Sequence, residues 1–148
     1  MLVKHVMRKP VTCSPDISVK DAVKLMLEYG IGSVIVVDAH GKIVGILTER
    51  DVMRFVAYKG GDPSLTHVRE LMTKRVIVIN ENARLKDAAK LMIKHNIKKL
   101  PVVNDKGKLV GIITTTDLVL AGYSVNNEIK NLMLPRPEDM FELSFEWL

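Results

Sequence analysis

The segment Gly45-Ile46-Leu47-Thr48-Glu49-Arg50-Asp51 recurs as Gly111-Ile112-Ile113-Thr114-Thr115-Thr116-Asp117, and that recurrence organises most of the chain. Sliding the sequence by 66 residues superposes Lys20–Val52 on Lys86–Leu118, with 16 of 33 positions identical. The identities include Asp21/Asp87, Ala22/Ala88, Met26/Met92, Ile31/Ile97 and Gly41/Gly107, and nearly every other apolar position stays apolar. Upstream the offset falls to 65, pairing Met7 with Met72 and Val11 with Val76. One extra residue in the second copy is therefore expected around Asn82–Arg84. A period of this length marks a duplicated supersecondary unit.

Val19, Ala22, Val23 and Met26 fall at helical spacing, as do Leu85, Ala88, Ala89 and Met92, which predicts one amphipathic helix per copy with a single buried stripe. Ser18 with Asp21 supplies a start signal. Val34–Val37 then reads as a buried strand, Ala39-His40-Gly41-Lys42 as a turn and Ile43–Leu47 as a second strand. Leu100–Val103, Asp105–Lys108 and Leu109–Ile113 repeat that hairpin. A short strand around Val11–Cys13, or Val76–Ile79, precedes the helix, and a further helix begins at Thr48, or Thr114. The unit is strand, helix, strand, strand, helix, an α/β (α+β) fold. A three-stranded sheet with two helices cannot cover both of its faces, so the copies are expected to pack through their sheets about a pseudo-twofold axis, leaving two equivalent clefts. Lys59-Gly60-Gly61-Asp62-Pro63 reads as the linker, and Ser64–Met72 as a connecting helix in the place that Leu2–Arg8 holds in the first copy. The expected divisions are a first repeat with linker over residues 1–66, a second over 67–123 and a C-terminal extension over 124–148.

Composition narrows the function. With 148 residues, 47% hydrophobic and 26% charged, the chain matches a folded globular protein. No apolar run approaches the roughly 18–20 residues of a membrane span. The N-terminus lacks the long apolar region of a secretory signal, which predicts a cytoplasmic protein without membrane attachment. Cys13, the one cysteine, reads as a small core residue. The net charge of +5 is uneven: residues 124–148 sum to −3 and residues 1–123 to +8. A basic body admits nucleic acid, an anionic small ligand or an acidic partner. Nucleic-acid binding needs basic residues aligned with stacking aromatics, and aromatics make up only a scattered 5%. The four histidines show no metal-ligand spacing, and no Gly-x-Ser-x-Gly or phosphate-binding glycine loop is present, so neither a catalytic residue nor a metal site is expected.

Several features occur in fixed order and in duplicate: Met-x-x-x-Val, a helix ending in Gly-Ile or Asn-Ile, a strand such as Leu100-Pro101-Val102-Val103, and Gly-hydrophobic-hydrophobic-Thr-x-x-Asp at Gly45–Asp51 and Gly111–Asp117. Together they resemble a tandem pair of CBS domains, or Bateman module, over about residues 1–123. The resemblance implies a non-catalytic sensor of an adenosine nucleotide held between the repeats, AMP first with ADP and ATP as competitors. S-adenosylmethionine presents the same adenosine and is an alternative, and nucleic acid through the basic body is another. The family is often joined to catalytic or transport domains, inosine monophosphate dehydrogenase among them, but no catalytic domain is read in this sequence. The regulated protein target is unspecified.

Thr48/Asp51 and Thr114/Asp117 carry two readings. By residue type they form a capping box at a helix start, the hydroxyl accepting an orphan N–H and the acid complementing the helix dipole. The resemblance implies instead that the acid accepts both hydrogen bonds of a ribose diol while the Thr hydroxyl and the helix N-terminus face phosphate. It also implies an adenine slot near Pro10, Val11 and Val76, and near Gly32-Ser33-Val34 with Lys98-Lys99-Leu100. Lys98-Lys99 replaces Gly32-Ser33 and reads either as an exposed basic pair or, by resemblance, as cations facing ligand phosphates. Arg50 and Thr116 are further phosphate candidates, and the copies differ at Glu49 against Thr115, where a carboxylate can repel phosphate, so the two clefts need not be equally competent. The family commonly dimerises through its helices, and Met53, Phe55, Val56, Val119 and Leu120 offer apolar side chains for a homodimer or for the core. The acidic, apolar segment Met140–Leu148 is expected to dock on the body or on a neighbouring subunit.

Overall fold

The computed structural model describes residues 1–122 and 131–132, so the expectation for Met140–Leu148 lies outside the described residues. In chain order the first repeat contains β1 (Thr12–Cys13), α1 (Val19–Tyr29), β2 (Ser33–Val37), β3 (Ile43–Thr48) and α2 (Glu49–Lys59). The one-turn α3 (Val68–Leu71) follows, then β4 (Ile79–Asn80), α4 (Leu85–His95), β5 (Lys99–Val103), β6 (Leu109–Thr114) and α5 (Thr115–Leu120). Each repeat forms a three-stranded sheet with its middle strand parallel to the first and antiparallel to the third. The fold is the mixed α+β architecture of two repeats that the sequence predicts.

Local chemistry sets the element ends. The Ser18 hydroxyl accepts from the Asp21 amide at 3.0 Å and opens α1. Gly30 closes it at φ 62°, and Asn96 closes α4 at φ 52°. Both residue types tolerate the left-handed conformation, so this exchange between the copies preserves the cap. Strand alternation sends Val34 and Val36 into a core with Ala22 and Met26, while Ile35, on the opposite face, is still only 1% exposed. In the second repeat Leu100 and Val102 pack with Ala88, Ala89 and Met92. The repeats meet at both ends of these strands: the Lys99 Nζ donates to the Ser33 Oγ at 3.1 Å, and the hairpin tips bridge at Lys42 and Lys108.

The repeats also exchange their leading segments. Ile46 on β3 and Thr73 bond reciprocally, at 3.0 and 2.9 Å, and Ile112 on β6 bonds Arg8 in the same way, at 2.9 Å in both directions. Val68 enters the first core and Val3 the second. The β3 and β6 edges are thereby each bridged by a segment of the other repeat. Gly45 and Gly111 make this possible: a Cβ there would lie 2.6 Å from the Met72 Sδ and 2.5 Å from the Met7 Sδ respectively. Gly45→Ala and Gly111→Ala are each expected to cost about 1–3 kcal/mol by overpacking, read as a lower urea midpoint. An unchanged midpoint would mean that the methionine swings aside freely.

Three details depart from the sequence reading. The register pairs Cys13 with Val36 and Ile79 with Val102, so the offset is already 66 at Ile79. Because Arg8 and Thr73 are equivalent at an offset of 65, the extra residue lies between Thr73 and Ile79 rather than around Asn82–Arg84. Secondly, Val76–Val78 is not strand. In the first repeat the Ile35 N–H donates to the Val11 carbonyl at 3.1 Å, but Pro101 stands in Ile35's place and has no N–H to give. Finally, the helix expected over Ser64–Met72 shrinks to α3, because the Ser64 amide and hydroxyl both bond the Asp62 carboxylate, at 2.9 and 2.6 Å, and hold a turn there.

Candidate functional site

Both Thr-x-x-Asp segments are capping boxes. The Thr48 Oγ1 accepts from the Asp51 amide at 3.1 Å, and the Asp51 Oδ2 accepts from the Thr48 amide at 3.0 Å. The Thr114 Oγ1 accepts from the Asp117 amide at 3.2 Å, while the Asp117 Oδ2 accepts from the Thr114 amide and hydroxyl, each at 2.9 Å. A cap uses only part of a carboxylate's acceptor capacity, which leaves chemistry for the rest.

The starts of the middle strands are fixed beside these helix N-termini by the backbone. The Glu49 amide donates to the Gly32 carbonyl at 2.9 Å, and the Thr115 amide to the Lys98 carbonyl at 3.0 Å. Gly32-Ser33 therefore lies with Thr48–Asp51, and Lys98-Lys99 with Thr114–Asp117. Glu49 rests against Gly32, where an added Cβ would come within 2.9 Å of its Oε1. Lys99 joins the halves through its bond to Ser33, which is buried. Burial holds the Lys99 ammonium below its ordinary value of 10.5; Glu49 opposes that shift, while Arg8 and Lys98 add to it. Arg8, on the exchanged N-terminal segment, forms an ion pair with Asp117, its Nε 3.0 Å from the Asp117 Oδ1.

Other candidate residues fall elsewhere. Val34 and Leu100 are fully packed in the two cores, so only their main-chain groups can serve a ligand. Val11 packs against the first core and Pro10 precedes it, half-buried. Val76 lines a separate groove of about 320 Å³ near the hairpin tips, with Lys42, Lys74, Val78 and Lys106. A larger concavity of about 680 Å³, bounded by Cys13, Asp16, Asp38, Arg69 and Met72, also lies away from the capping boxes. Cys13 is buried, and burial pushes its thiol up to about 11. Arg50 is half-buried and Thr116 exposed. Arg8 was invisible to sequence reasoning, because the segment exchange that delivers it to Asp117 involves no local periodicity.

Duplicated strand-helix-hairpin-helix units, joined by a polar contact at the start of their middle strands, define a tandem-repeat module. The CBS domain family matches residues 3–58 and 68–123, and the chain belongs to that family as a tandem CBS pair. An uncharacterised protein of Methanocaldococcus jannaschii is 34% identical, over 82% of this chain and 90% of that one. Among solved structures, the CBS domain pair of protein MJ0100 in complex with 5′-methylthioadenosine and S-adenosyl-L-methionine is 34% identical with a TM-score of 0.74, covering 84% of this chain and 98% of that one. CBSX2 in complex with AMP is 28% identical with a TM-score of 0.72, covering 82% and 95% respectively. The chain spans only 22% of the inosine-5′-monophosphate dehydrogenases of M. jannaschii and Aquifex aeolicus that it also matches. Among the described residues, no helix is long and apolar enough to cross a membrane.

Proposed function

We propose that this chain is a non-catalytic regulatory module that binds an adenosine nucleotide at the seam between its repeats, AMP in preference to ADP and ATP. The observation that carries this reading is Lys99, a half-buried ammonium extended across the seam beside the helix N-terminus capped by Thr48 and Asp51. Holding a cation there costs desolvation energy, which a bound phosphate offsets. Asp51 would take the ribose diol, while Lys99, Lys98 and the start of α2 face phosphate. The adenosine ligands of the related structures support the same class. Calorimetry against AMP, ADP, ATP, S-adenosylmethionine and NAD tests it: AMP is expected to bind tightest, and binding to none would sink the reading in favour of a structural scaffold.

A second reading, S-adenosylmethionine, is favoured by Glu49, whose carboxylate beside Gly32 suits a sulfonium better than a phosphate. Tighter S-adenosylmethionine than AMP in the same titration would select it. The working form is proposed to be a homodimer. No residue of α2 is buried, and Met53, Val56 and Leu120 stand exposed while Phe55 and Val119 are half-buried. Sedimentation as a monomer across micromolar concentrations would refute the dimer.

A further inference from the structure

We infer that Arg8 closes the second cleft, so that in the wild-type chain Asp51, and not Asp117, is open to a ligand diol. This rests on the reading that the Thr-x-x-Asp acids bind an adenosine ribose. Each acid spends its Oδ2 on its own helix cap. In the second repeat the other oxygen is taken by the Arg8 Nε at 3.0 Å, and Asp117 is left 7% exposed. Asp51 stays partly exposed. The Arg8 guanidinium rests against the Oδ1 of the buried Asp117 carboxylate, so ribose hydroxyls reach it only when the ion pair opens.

The closure is built into the fold. Arg8 is pinned by its reciprocal main-chain bonds to Ile112, two residues ahead of Thr114. Thr73 occupies the matching place on the first repeat, pinned to Ile46 ahead of Thr48, and carries no charge. The same segment exchange that bridges the β3 and β6 edges therefore brings a cation to one acid and leaves an uncharged residue at the matching position of the other repeat. Ligand entry at Asp117 then requires Arg8 to leave, which ties the second cleft to the position of the N-terminal segment.

Calorimetric stoichiometry on the full chain with AMP as the probe tests this, using each repeat's own residue in the other. The wild-type chain is expected to bind one AMP, Arg8→Thr two, and Arg8→Lys one, since an ammonium still covers the carboxylate. Thr73→Arg is expected to abolish the wild-type event, and Arg8→Thr with Asp51→Ala to retain one. The Arg8 side chain is 63% exposed, so its replacement is expected to leave thermal unfolding within a few degrees of wild type. Two AMP per wild-type chain, or a single AMP in Arg8→Thr, would overturn the closure while leaving the nucleotide reading standing. Absence of AMP binding in both proteins overturns the nucleotide reading and the closure with it.

Discussion

Asp51→Ala is expected to weaken AMP binding about thirtyfold or more, the loss of roughly 2 kcal/mol for hydrogen bonds to a charged acceptor. The same change removes the acceptor of the Thr48 amide, so α2 loses part of its N-terminal cap at about 0.5–1.5 kcal/mol. The two effects separate with Asp51→Asn, whose side-chain oxygen still accepts from Thr48 but which lacks the charge and one acceptor. That variant is expected to unfold near the wild-type temperature and to bind AMP nearly as weakly as Asp51→Ala. Asp117→Ala is expected to behave differently: its buried carboxylate makes three contacts, two accepted hydrogen bonds and an ion pair, so stability falls further while AMP affinity at the first cleft is retained. Normal AMP binding by a destabilised Asp51→Ala protein would reduce the motif to a helix cap.

Replacing Lys98 and Lys99 together by the Gly-Ser of the first repeat is expected to weaken AMP by about ten- to a hundredfold and adenosine by less than about threefold. Only AMP carries the charge being neutralised, and its affinity should also become less sensitive to salt. Equal losses for the two ligands would remove the lysines from the site. The ligand-free protein supplies a second readout. Because burial lowers the Lys99 pKa in the folded state, the unfolded chain keeps this proton to higher pH. Wild-type stability is therefore expected to gain a contribution as pH rises through the lowered value toward 10.5, a gain absent from the double variant. Thermal unfolding of both proteins across that alkaline range checks the sign.

The duplication, the element order and the helix starts were legible in the residues because each rests on local physics. The stripe Leu85, Ala88, Ala89 and Met92 follows the helical period, the hairpin strands carry continuous apolar runs, and the Thr48/Asp51 box closes between atoms three residues apart. That box also explains why sequence could not choose between cap and ligand site: the same atoms serve both roles. Tertiary packing decided the remainder. Val3 and Val68 trade cores, and since the two repeats have nearly the same apolar pattern, no local signal says which core receives which segment. Arg8 meets Asp117, and Lys99 meets Ser33, only after both sheets have formed, the β3 and β6 edges have been bridged and the repeats have come together. Val78 stays out of the ladder that its counterpart Thr12 joins because Pro101 has no N–H to donate, a non-local consequence of one missing donor. Periodicity ranks residues as inward or outward, whereas the partner that a long polar side chain finds depends on strand register and on the approach of segments distant in sequence.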